Sequence, residues 1–470
     1  MHKYILFFVS IMMLIFPVSG IAQKNGDENS SLRKNGVNVQ PAPNDEHFIY
    51  LPLVLKNYPL INIFGIAASS NLDLIQKSGG SWIRMTYYVN WSKVEQTEDK
   101  FDWGTMAGLE NLLLQAAKER VQTVLIIQMS PEWARKYSNS PCGPIRSDKL
   151  NSFAKFAAEV VKRYSVPPYN IKYFQIWNEQ DAPVSNSGSG FGCWGEFSDS
   201  YFGGEYYGQM LETVYPAMKA ANPSIQVVTG AFLLDCDPRS WGDGYCATKD
   251  KAKQWNFFEG VVKRAKNYFD VVSFNGYAYY QEGKNTVWAE RFVRREWAAA
   301  GGQVDGKINY LLQKMSQYGI NKPIMLAESA IIDINSEEAK SDYLVWTYAN
   351  TWSKGLKATF WYSLEGWRGS QLINNNTPLP AYYALQTMTG ILGQSDFKSR
   401  EDNLGYTKFV FTLGSHEIWL LIPTGEVAGT IYSIDKPTNF IKLVDIYGKD
   451  QPDPGNTISF SRPVYIFLSK

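Results

Sequence analysis

Histidine is nearly absent from this chain of 470 residues, which contains only three. His2 lies in an N-terminal apolar segment, His47 ends a polar stretch, and His416 lies near the C-terminus. Because Ser-His-Asp hydrolases, Cys-His proteases and His-ligated zinc sites depend on an imidazole among their central groups, the sequence argues against these three classes. What remains is chemistry carried by carboxylates, and we expect neither a metal nor a cofactor.

Net charge of one sign and long hydrophobic runs are also lacking. The formal net charge is +1, which provides no electrostatic attraction for nucleic acid or for an anionic membrane. After the first 22 residues, no apolar run is long enough to cross a bilayer. The sequence therefore predicts a soluble mature chain with no nucleic-acid partner and no membrane span.

Residues 1–22 have the three parts of a secretory signal peptide. Lys3 supplies the positive charge, residues 5–18 form the apolar core, and Gly20-Ile21-Ala22 provides a small-x-small cleavage site. A membrane anchor is the alternative, but the apolar core is short for a span. We therefore expect a secreted protein that is cleaved after about Ala22, with the polar residues 23–47 as a disordered spacer.

Four cysteines are present, and none forms a C-x-x-C pair. In an exported protein this number favours two disulfides over metal ligands or free thiols. Four cysteines allow three pairings. We prefer Cys236–Cys246, which closes one short loop, together with Cys142–Cys193, which ties two neighbouring loops.

From residue 60 onward, short apolar runs alternate with segments of helical periodicity, which predicts a (β/α)8 TIM barrel. An open, doubly wound sheet is the alternative, but no G-x-G-x-x-G follows the first run. The predicted strands are 61–67, 82–88, 121–129, 171–178, 225–232, 270–277, 322–329 and 356–364. The predicted helices are 148–164, 205–221, 253–268, 303–319 and 335–353.

The barrel domain is predicted to span residues 48–394, with its apolar start at 48–58 forming an edge strand. Residues 395–470 contain short β-rich segments between Gly, Pro and Asp turns, which predict a small antiparallel β-sandwich. The sandwich is either a carbohydrate-binding module or a structural cap. Its aromatic residues alternate along the strands as core residues do, which favours the cap. These residues are Phe409, Trp419, Tyr432 and Tyr465.

Two glutamates lie at the ends of apolar strand-like runs. Glu179 closes KYFQIWNE, and Glu328 comes just before the end of KPIMLAES. A polar residue there can simply begin a loop, but barrels build their sites at the carboxyl ends of strands. Two carboxylates on different strand ends can face each other across a sugar, as glycosidic bond cleavage requires. Asn178, just before Glu179, is suited to bind the hydroxyl next to the reacting carbon.

These residues, with two others, resemble clan A glycoside hydrolases. The resemblance rests on Asn178-Glu179 at the fourth strand, Glu328 on the seventh, Arg84 on the second and Trp361 on the eighth. It covers the predicted barrel and continues into the β-rich tail, and it is nearest to family 39, with family 5 next. It implies retaining enzymes on (β/α)8 barrels, with Arg84 near the nucleophile and Trp361 as the floor of the first sugar subsite.

Two loops support the resemblance, and one strand departs from it. Residues 87–103 have the pattern W-S-x-V-E ending in F-D-W, and Ser130-Pro131-Glu132-Trp133 is similar to S-P-x-W, which makes Trp133 a sugar-contact candidate. On the sixth strand many clan members carry His-x-Tyr, whereas this chain has Asn275-Gly276-Tyr277. Asn275 replaces the imidazole that would orient a neighbour, so we expect specificity or the pKa of the acid to differ.

The resemblance implies a division of roles between the two glutamates. Glu328 has to be ionised to attack the anomeric carbon, and Arg84 and the Tyr277 hydroxyl would stabilise its charge. Glu179 has to be protonated to donate to the leaving oxygen, and it then acts as the base for water. This is the retaining geometry, with the carboxyl groups about 5–5.5 Å apart. Arg84, Tyr277 and Trp361 also have ordinary interpretations as ion-pair partner, unremarkable tyrosine and core residue.

The loop at residues 181–206 is long and rich in Gly, Ser and aromatic residues, as loops that line barrel sites often are. Trp194, Phe197 and Tyr201 either stack on sugars or only pack the loop down. Further subsite candidates are Trp91, Trp133, Trp241 and Trp367.

The leading hypothesis is a secreted retaining glycoside hydrolase acting on O-glycosidic bonds, with β-linked oligo- or polysaccharides expected as substrates. A non-catalytic glycan-binding barrel is the first alternative, although such a protein would usually have lost one carboxylate. A transglycosidase, which uses the same residues and excludes water, is the second.

Overall fold

The computed structural model describes residues 62–85, 87–186, 192–236, 253–292 and 295–470. The predicted signal peptide, the spacer and the edge strand at 48–58 lie outside the described residues, as do Trp241 and Cys246.

Eight parallel strands form the central sheet, in the order β6-β5-β4-β2-β1-β9-β8-β7, and the two-residue strand β3 pairs with β4. The strands are β1 Phe64–Ala67, β2 Trp82–Arg84, β3 Val89–Asn90, β4 Gln122–Gln128, β5 Tyr173–Ile176, β6 Gln226–Thr229, β7 Val272–Tyr279, β8 Ile324–Ile332 and β9 Ala358–Tyr362. All eight predicted strands are therefore present.

The sheet closes on itself between its two ends. Val228 of β6 and Val271 beside β7 form a parallel bridge, and Phe232 bridges Phe274 further along. The backbone N–H of Thr229 donates to the carbonyl of Val271 at 2.9 Å. An open sheet would leave β6 and β7 as free edges, so the predicted (β/α)8 barrel is confirmed over the doubly wound alternative.

Side chains alternate between the two faces of each barrel strand. One buried cluster takes residues from all eight barrel strand segments, among them Trp82, Tyr173 and Phe360, so it fills the barrel interior. The intervening residues, such as Ile83 and Phe174, belong to the larger core between the strands and the helices. This alternation decides which side chains can reach a site at the mouth of the barrel.

Helices surround the barrel, and the five predicted ones are all present. They are Leu150–Tyr164, Gly204–Ala221, Asn256–Ala265, Asp305–Gln317 and Glu337–Ser353. The remaining helices in the described part of the chain are Leu72–Lys77, Trp91–Val94, Ala107–Lys118, Thr286–Phe292, Arg295–Ala298 and Pro380–Leu392. Short 3-10 segments occur at Trp103–Met106, Glu132–Ala134, Ser147–Lys149, Val184–Asn186 and Lys253–Trp255.

The Glu337–Ser353 helix shows why these segments are helical. The Ser336 hydroxyl accepts from the backbone N–H of Ala339 at 3.2 Å and caps the N-terminus, where Glu337 and Glu338 complement the helix dipole. Its middle is buried almost all round, because barrel strands lie on one side and the C-terminal domain lies on another.

The C-terminal domain is the predicted antiparallel β-sandwich. A six-stranded sheet runs β12-β13-β14-β19-β16-β17, and β15 pairs with β18 beside it. The bounds are β12 Asp396–Asp402, β13 Tyr406–Leu413, β14 His416–Pro423, β15 Tyr432–Asp435, β16 Phe440–Asp445, β17 Asp450–Gln451, β18 Thr457–Phe460 and β19 Val464–Ser469. A small hairpin, β10 Ile373–Asn374 with β11 Thr377–Pro378, precedes it.

The sandwich packs on the barrel through the Glu337–Ser353 helix. Trp346 contacts Phe409 with ring centres 5.8 Å apart, and Arg462 pairs with Asp342 at 2.8 Å. Phe409 and Tyr465 are fully buried, while Trp419 and Tyr432 pack against a core within the sandwich. All four aromatic residues thus face cores, as the structural-cap interpretation expects.

Among the described residues, every helix lacks either the length or the apolarity that crossing a membrane requires.

Candidate active site

The two glutamates meet at the carboxyl ends of the barrel strands. Glu328 lies in β8 at an irregularity of its pairing, opposite Asn275 of β7. Glu179 lies just after β5, and the Asn275 side-chain amide donates to its Oε1 at 2.8 Å. Asn275, on the strand that pairs with the strand of Glu328, therefore contacts Glu179. The two glutamates come together because a barrel gathers the carboxyl ends of its strands.

Glu328 accepts hydrogen bonds from two donors. Arg84 Nη1 donates to Oε1 at 2.7 Å, and the Tyr277 hydroxyl donates to Oε2 at 2.5 Å. Glu328 is 8% exposed and Arg84 is 3% exposed, so little water competes for these bonds. Arg84 and Tyr277 thus lie where the resemblance implied, one on each carboxylate oxygen.

Arg84 also holds the strand that leads to Glu179. Its Nε donates to Gln175 Oε1 at 2.9 Å, and its Nη2 donates to Asn178 Oδ1 at 2.7 Å. The guanidinium thereby fixes β2, β5 and β8 at one point, using the fork of donors that lysine lacks. Gln175 was not predicted as a site residue, although a glutamine inside the apolar run KYFQIWNE could have indicated it.

Glu179 has a different environment. Burial raises the pKa of its carboxyl group to about 8, and the nearby negative charge of Glu328 adds to the rise. The hydrogen bond from Asn275 acts in the opposite direction, because it stabilises the ionised form. At neutral pH Glu179 therefore carries a proton that it can donate.

The backbone at Glu179 adopts the left-handed region, with φ of +51°, and Trp177 has φ of +69°. Such angles are uncommon outside glycine and are strained, and they persist where the surroundings hold them. The Glu179 N–H donates to the carbonyl of Ala231 at 2.9 Å, and the Trp177 indole donates to the carbonyl of Cys142 at 2.8 Å. The turn that presents Glu179 is thus fixed from both sides.

A buried polar layer lies behind Asn275. Lys307 Nζ donates to the carbonyls of Leu233 at 2.7 Å and Asn275 at 3.0 Å. Asp181, 1% exposed, accepts from the backbone N–H groups of Leu233 and Leu234, each at 2.8 Å, and burial raises its pKa to about 6. This layer positions the segment that supports Glu179. Sequence reasoning missed both charged residues, because their burial depends on distant segments.

The prediction that Trp361 floors the first sugar subsite is wrong. Trp361 faces outward, is fully buried, and packs against Tyr343 of the surrounding helix with ring centres 6.3 Å apart. Its neighbour Tyr362 faces the interior, 6.2 Å from the Tyr277 ring. Burial and the negative charge of Glu328 raise the pKa of Tyr362 to about 12. Neighbouring residues of a strand point to opposite faces, so Tyr362, and not Trp361, is the aromatic residue beside the carboxylates.

Trp194 also differs from its predicted role. It is fully buried, and its ring lies 5.1 Å from that of Trp177 and 5.4 Å from that of Tyr207. No face is left for a sugar, so Trp194 packs the loop against the barrel. Phe197 likewise packs on Phe202.

Trp133 is half-buried beside Trp91, and its indole donates to the carbonyl of Glu95 at 3.1 Å. Its contact with sugar stays a prediction.

One predicted disulfide is confirmed. Cys142 and Cys193 are bonded, with Cα atoms 5.3 Å apart. The bond joins the loop after β4 to the loop after β5, close to the turn that carries Glu179. Cys236 is disulfide-bonded too, and its predicted partner Cys246 lies outside the described residues.

No protein-family model and no curated protein matches this sequence. Solved structures do match. A family 39 glycoside hydrolase from the gut symbiont Bacteroides cellulosilyticus WH2 is 16% identical, with a TM-score of 0.65 over 87% of this chain and 81% of that one. A conserved exported protein from Bacteroides fragilis is 13% identical, with a TM-score of 0.55 over 87% of this chain and 98% of that one. A family 30 endoxylanase from Clostridium papyrosolvens C71 is 12% identical, with a TM-score of 0.54 over 88% and 98%. At these identities the likeness establishes the fold.

Proposed function

We propose that this protein is a retaining glycoside hydrolase that cleaves O-glycosidic bonds in β-linked oligo- or polysaccharides. One observation carries the proposal: two neighbouring carboxyl groups have contrasting surroundings. Glu328 accepts from Arg84 and Tyr277, while burial and the charge of Glu328 raise the pKa of Glu179. Pairs of titratable groups held in this way identify an acid and a nucleophile.

In the first step, a Glu328 oxygen bonds to the anomeric carbon as the bond to the leaving oxygen breaks. Glu179 transfers its proton to that oxygen, so the leaving group departs as an alcohol. Glu328 becomes a glycosyl ester and loses its charge, which removes the largest effect after burial that raises the pKa of Glu179. Glu179 therefore becomes the stronger acid during the step and remains ionised afterwards.

In the second step, Glu179 takes a proton from water as the water oxygen bonds to the anomeric carbon. The ester bond to Glu328 breaks, and Arg84 and Tyr277 stabilise the released carboxylate. Two inversions give a product with the starting configuration. Glu179 ends protonated, as it began, and Asn275 holds it throughout.

The two alternative functions, a glycan-binding barrel and a transglycosidase, require different things of this site. A non-catalytic glycan-binding barrel does not need two neighbouring carboxyl groups with such contrasting surroundings, which counts against it. A transglycosidase would use the same two steps with a sugar hydroxyl in place of water.

Export of the protein belongs to the same proposal. The N-terminal pattern of a signal peptide and the Cys142–Cys193 disulfide both fit an oxidising compartment. One of the matching structures is that of a conserved exported protein.

The test is a panel of aryl β-glycosides and neutral oligosaccharides, with the purified protein and its Glu328→Gln variant as a matched control. We expect turnover of at least one substrate by the unmodified protein alone, with a first product of retained configuration in an NMR time course. A first product of inverted configuration, or equal turnover by the variant, would contradict the mechanism. A large excess of transfer product over hydrolysis would favour the transglycosidase.

A further inference from the structure

Beyond the carboxylates, an exposed aromatic side chain lies beside the candidate active site. Trp367 lies in the loop after β9, and its ring centre is 5.8 Å from that of Tyr277, the residue that donates to Glu328. Trp367 is 37% exposed, unlike Trp194 and Trp361, which are fully buried. It is therefore an indole in contact with the site that still presents surface to solvent.

The loop that carries Trp367 is held in one conformation. Gly366 and Gly369 have φ of +75° and +88°, and a Cβ on either would lie within 2.3 Å of other backbone atoms. The buried Lys340 donates to the carbonyls of Gly369 at 3.0 Å and Gln371 at 2.6 Å. A platform that is already ordered binds more tightly, because little entropy is lost on binding.

Trp361, on the strand before this loop, supports the loop from behind. Its indole donates to the carbonyl of Ser370 at 2.9 Å. The Ser370 hydroxyl accepts from the backbone N–H of Trp367 at 2.9 Å and donates to the carbonyl of Tyr362 at 2.6 Å. The outward-facing tryptophan thus supports the loop that presents the exposed one.

The charges around Trp367 favour a neutral ligand. The Arg368 guanidinium lies 5.1 Å from the Trp367 ring centre and 5.7 Å from that of Tyr279. Both its Nε and its Nη2 are engaged by Asp333. A ligand carboxylate would therefore meet a cation that is already paired and the negative charge of Asp333.

We propose that Trp367 is the stacking platform of a second sugar subsite, which binds an uncharged pyranose next to the sugar held between Glu179 and Glu328. Pyranoses present C–H faces that pack on an indole ring, and a rigid exposed indole provides this contact. The inference rests on the proposed function, because the carboxylate cleft has to hold a sugar. It makes the substrate a neutral chain of at least two residues, so a single-sugar glycoside uses only part of the site.

Binding and turnover are measured separately, so that failures of the two proposals can be told apart. Turnover of aryl monoglycosides by the unmodified protein tests the proposed function. Binding is measured by calorimetry in the Glu328→Gln background, with neutral xylo-, gluco- and manno-tetrasaccharides, their monosaccharides and a tetragalacturonate. Trp367→Ala is compared with Trp367→Phe and with the matched control Tyr383→Ala, an exposed aromatic residue on the Pro380–Leu392 helix.

We expect at least one neutral tetrasaccharide to bind, and Trp367→Ala to weaken it about tenfold or more, with Trp367→Phe in between. Monosaccharide affinity and the melting temperature should stay unchanged, and Tyr383→Ala should behave as the background. Equal tetrasaccharide affinity in the Trp367→Ala and Tyr383→Ala proteins would overturn the subsite. So would tighter binding of tetragalacturonate than of every neutral chain, or no tetrasaccharide binding by any of the proteins.

Discussion

Two glutamates of identical chemistry have opposite surroundings at this site. Glu328 accepts from a guanidinium and a phenol, whereas Glu179 accepts from a neutral amide and lies close to the charge of Glu328. The raised pKa of Glu179 thus follows from its surroundings, as is general for paired carboxyl groups.

Replacing Glu328 with glutamine should abolish turnover while leaving sugar binding intact. The amide is nearly isosteric with the carboxylate but cannot form the glycosyl ester, so we expect kcat to fall by at least about 10⁴-fold. Steady-state kinetics and calorimetry on one preparation provide both numbers. Rates similar to those of the unmodified protein would remove Glu328 from the role of nucleophile.

Replacing Glu179 with alanine should act selectively. Substrates with poor leaving groups should lose most activity, while an activated aryl glycoside still glycosylates Glu328, because its leaving group needs little protonation. The ester should then accumulate, and mass spectrometry should detect it.

Azide needs no base, so adding it to the Glu179→Ala protein should restore turnover and yield a glycosyl azide of the starting configuration. An azide of inverted configuration from this variant, with the retained azide from a Glu328 variant, would mean that the two roles are reversed.

The pH dependence follows from the raised pKa of Glu179. In the proposed mechanism the protonated form of Glu179 is the active one, so kcat/KM should fall as the pH rises through about 8. Asn275→Ala removes a hydrogen bond that favours ionisation of Glu179, so the alkaline limb should move to higher pH. The variant leaves unchanged the acidic residues whose charges act on Glu179, and the two residues that donate to Glu328. These are Glu328, Asp235, Asp181, Arg84 and Tyr277. A limb that stays in place, or moves to lower pH, would contradict the assigned role of Asn275.

At the scale of elements, the site depends on two loops and on how they are joined. The Cys142–Cys193 disulfide links the loop after β4 to the loop that begins at Glu179. The Trp177 indole adds a bond to the carbonyl of Cys142. The position of Glu179 is therefore coupled to a covalent link outside the pair of carboxyl groups.

Exchanging both Cys142 and Cys193 for serine should destabilise the protein by about 2–4 kcal/mol, because the unfolded chain regains conformational freedom. Chemical denaturation measures this change. We also expect a lower kcat, since the turn carrying Glu179 loses one support. Unchanged stability and unchanged kcat together would show that the bond has no part in positioning the acid.

At the scale of the whole molecule, barrel and sandwich share a core. Phe409 and Tyr465 of the sandwich belong to the same buried cluster as the barrel helices, and the described residues form one compact unit. The Arg462–Asp342 pair crosses the same contact. We therefore expect the two parts to unfold together.

Phe409→Ala should destabilise the entire protein by about 3–5 kcal/mol, because it leaves a cavity against Trp346. Calorimetry should show a single transition that moves as a whole. Leu404→Ala is the matched control, since Leu404 belongs to the sandwich and is 99% exposed. Two separate transitions, with only one affected, would mean that the sandwich is independent.

Much of this architecture could be predicted from local patterns. The eight strands, the five helices and the change to antiparallel strands after the barrel all follow from the period of apolar residues, which neighbouring positions determine. The two carboxylates were predicted because a barrel brings the carboxyl ends of its strands together, whereas Arg84 and Tyr277 were predicted from the family resemblance. The Cys142–Cys193 pairing was predicted because the two cysteines lie in loops that follow neighbouring strands.

The sequence by itself determined the order of the elements and the strand ends at which the site is built. Only the tertiary structure decided which side chains face it. Phe360, Trp361 and Tyr362 are all aromatic, as befits a strand buried on both faces, so their sequence contains no alternation that tells inside from outside. Lys307 and Asp181 are buried by segments far away in the chain. Facing and burial depend on strand register and on what packs behind it, and these are properties of the closed barrel.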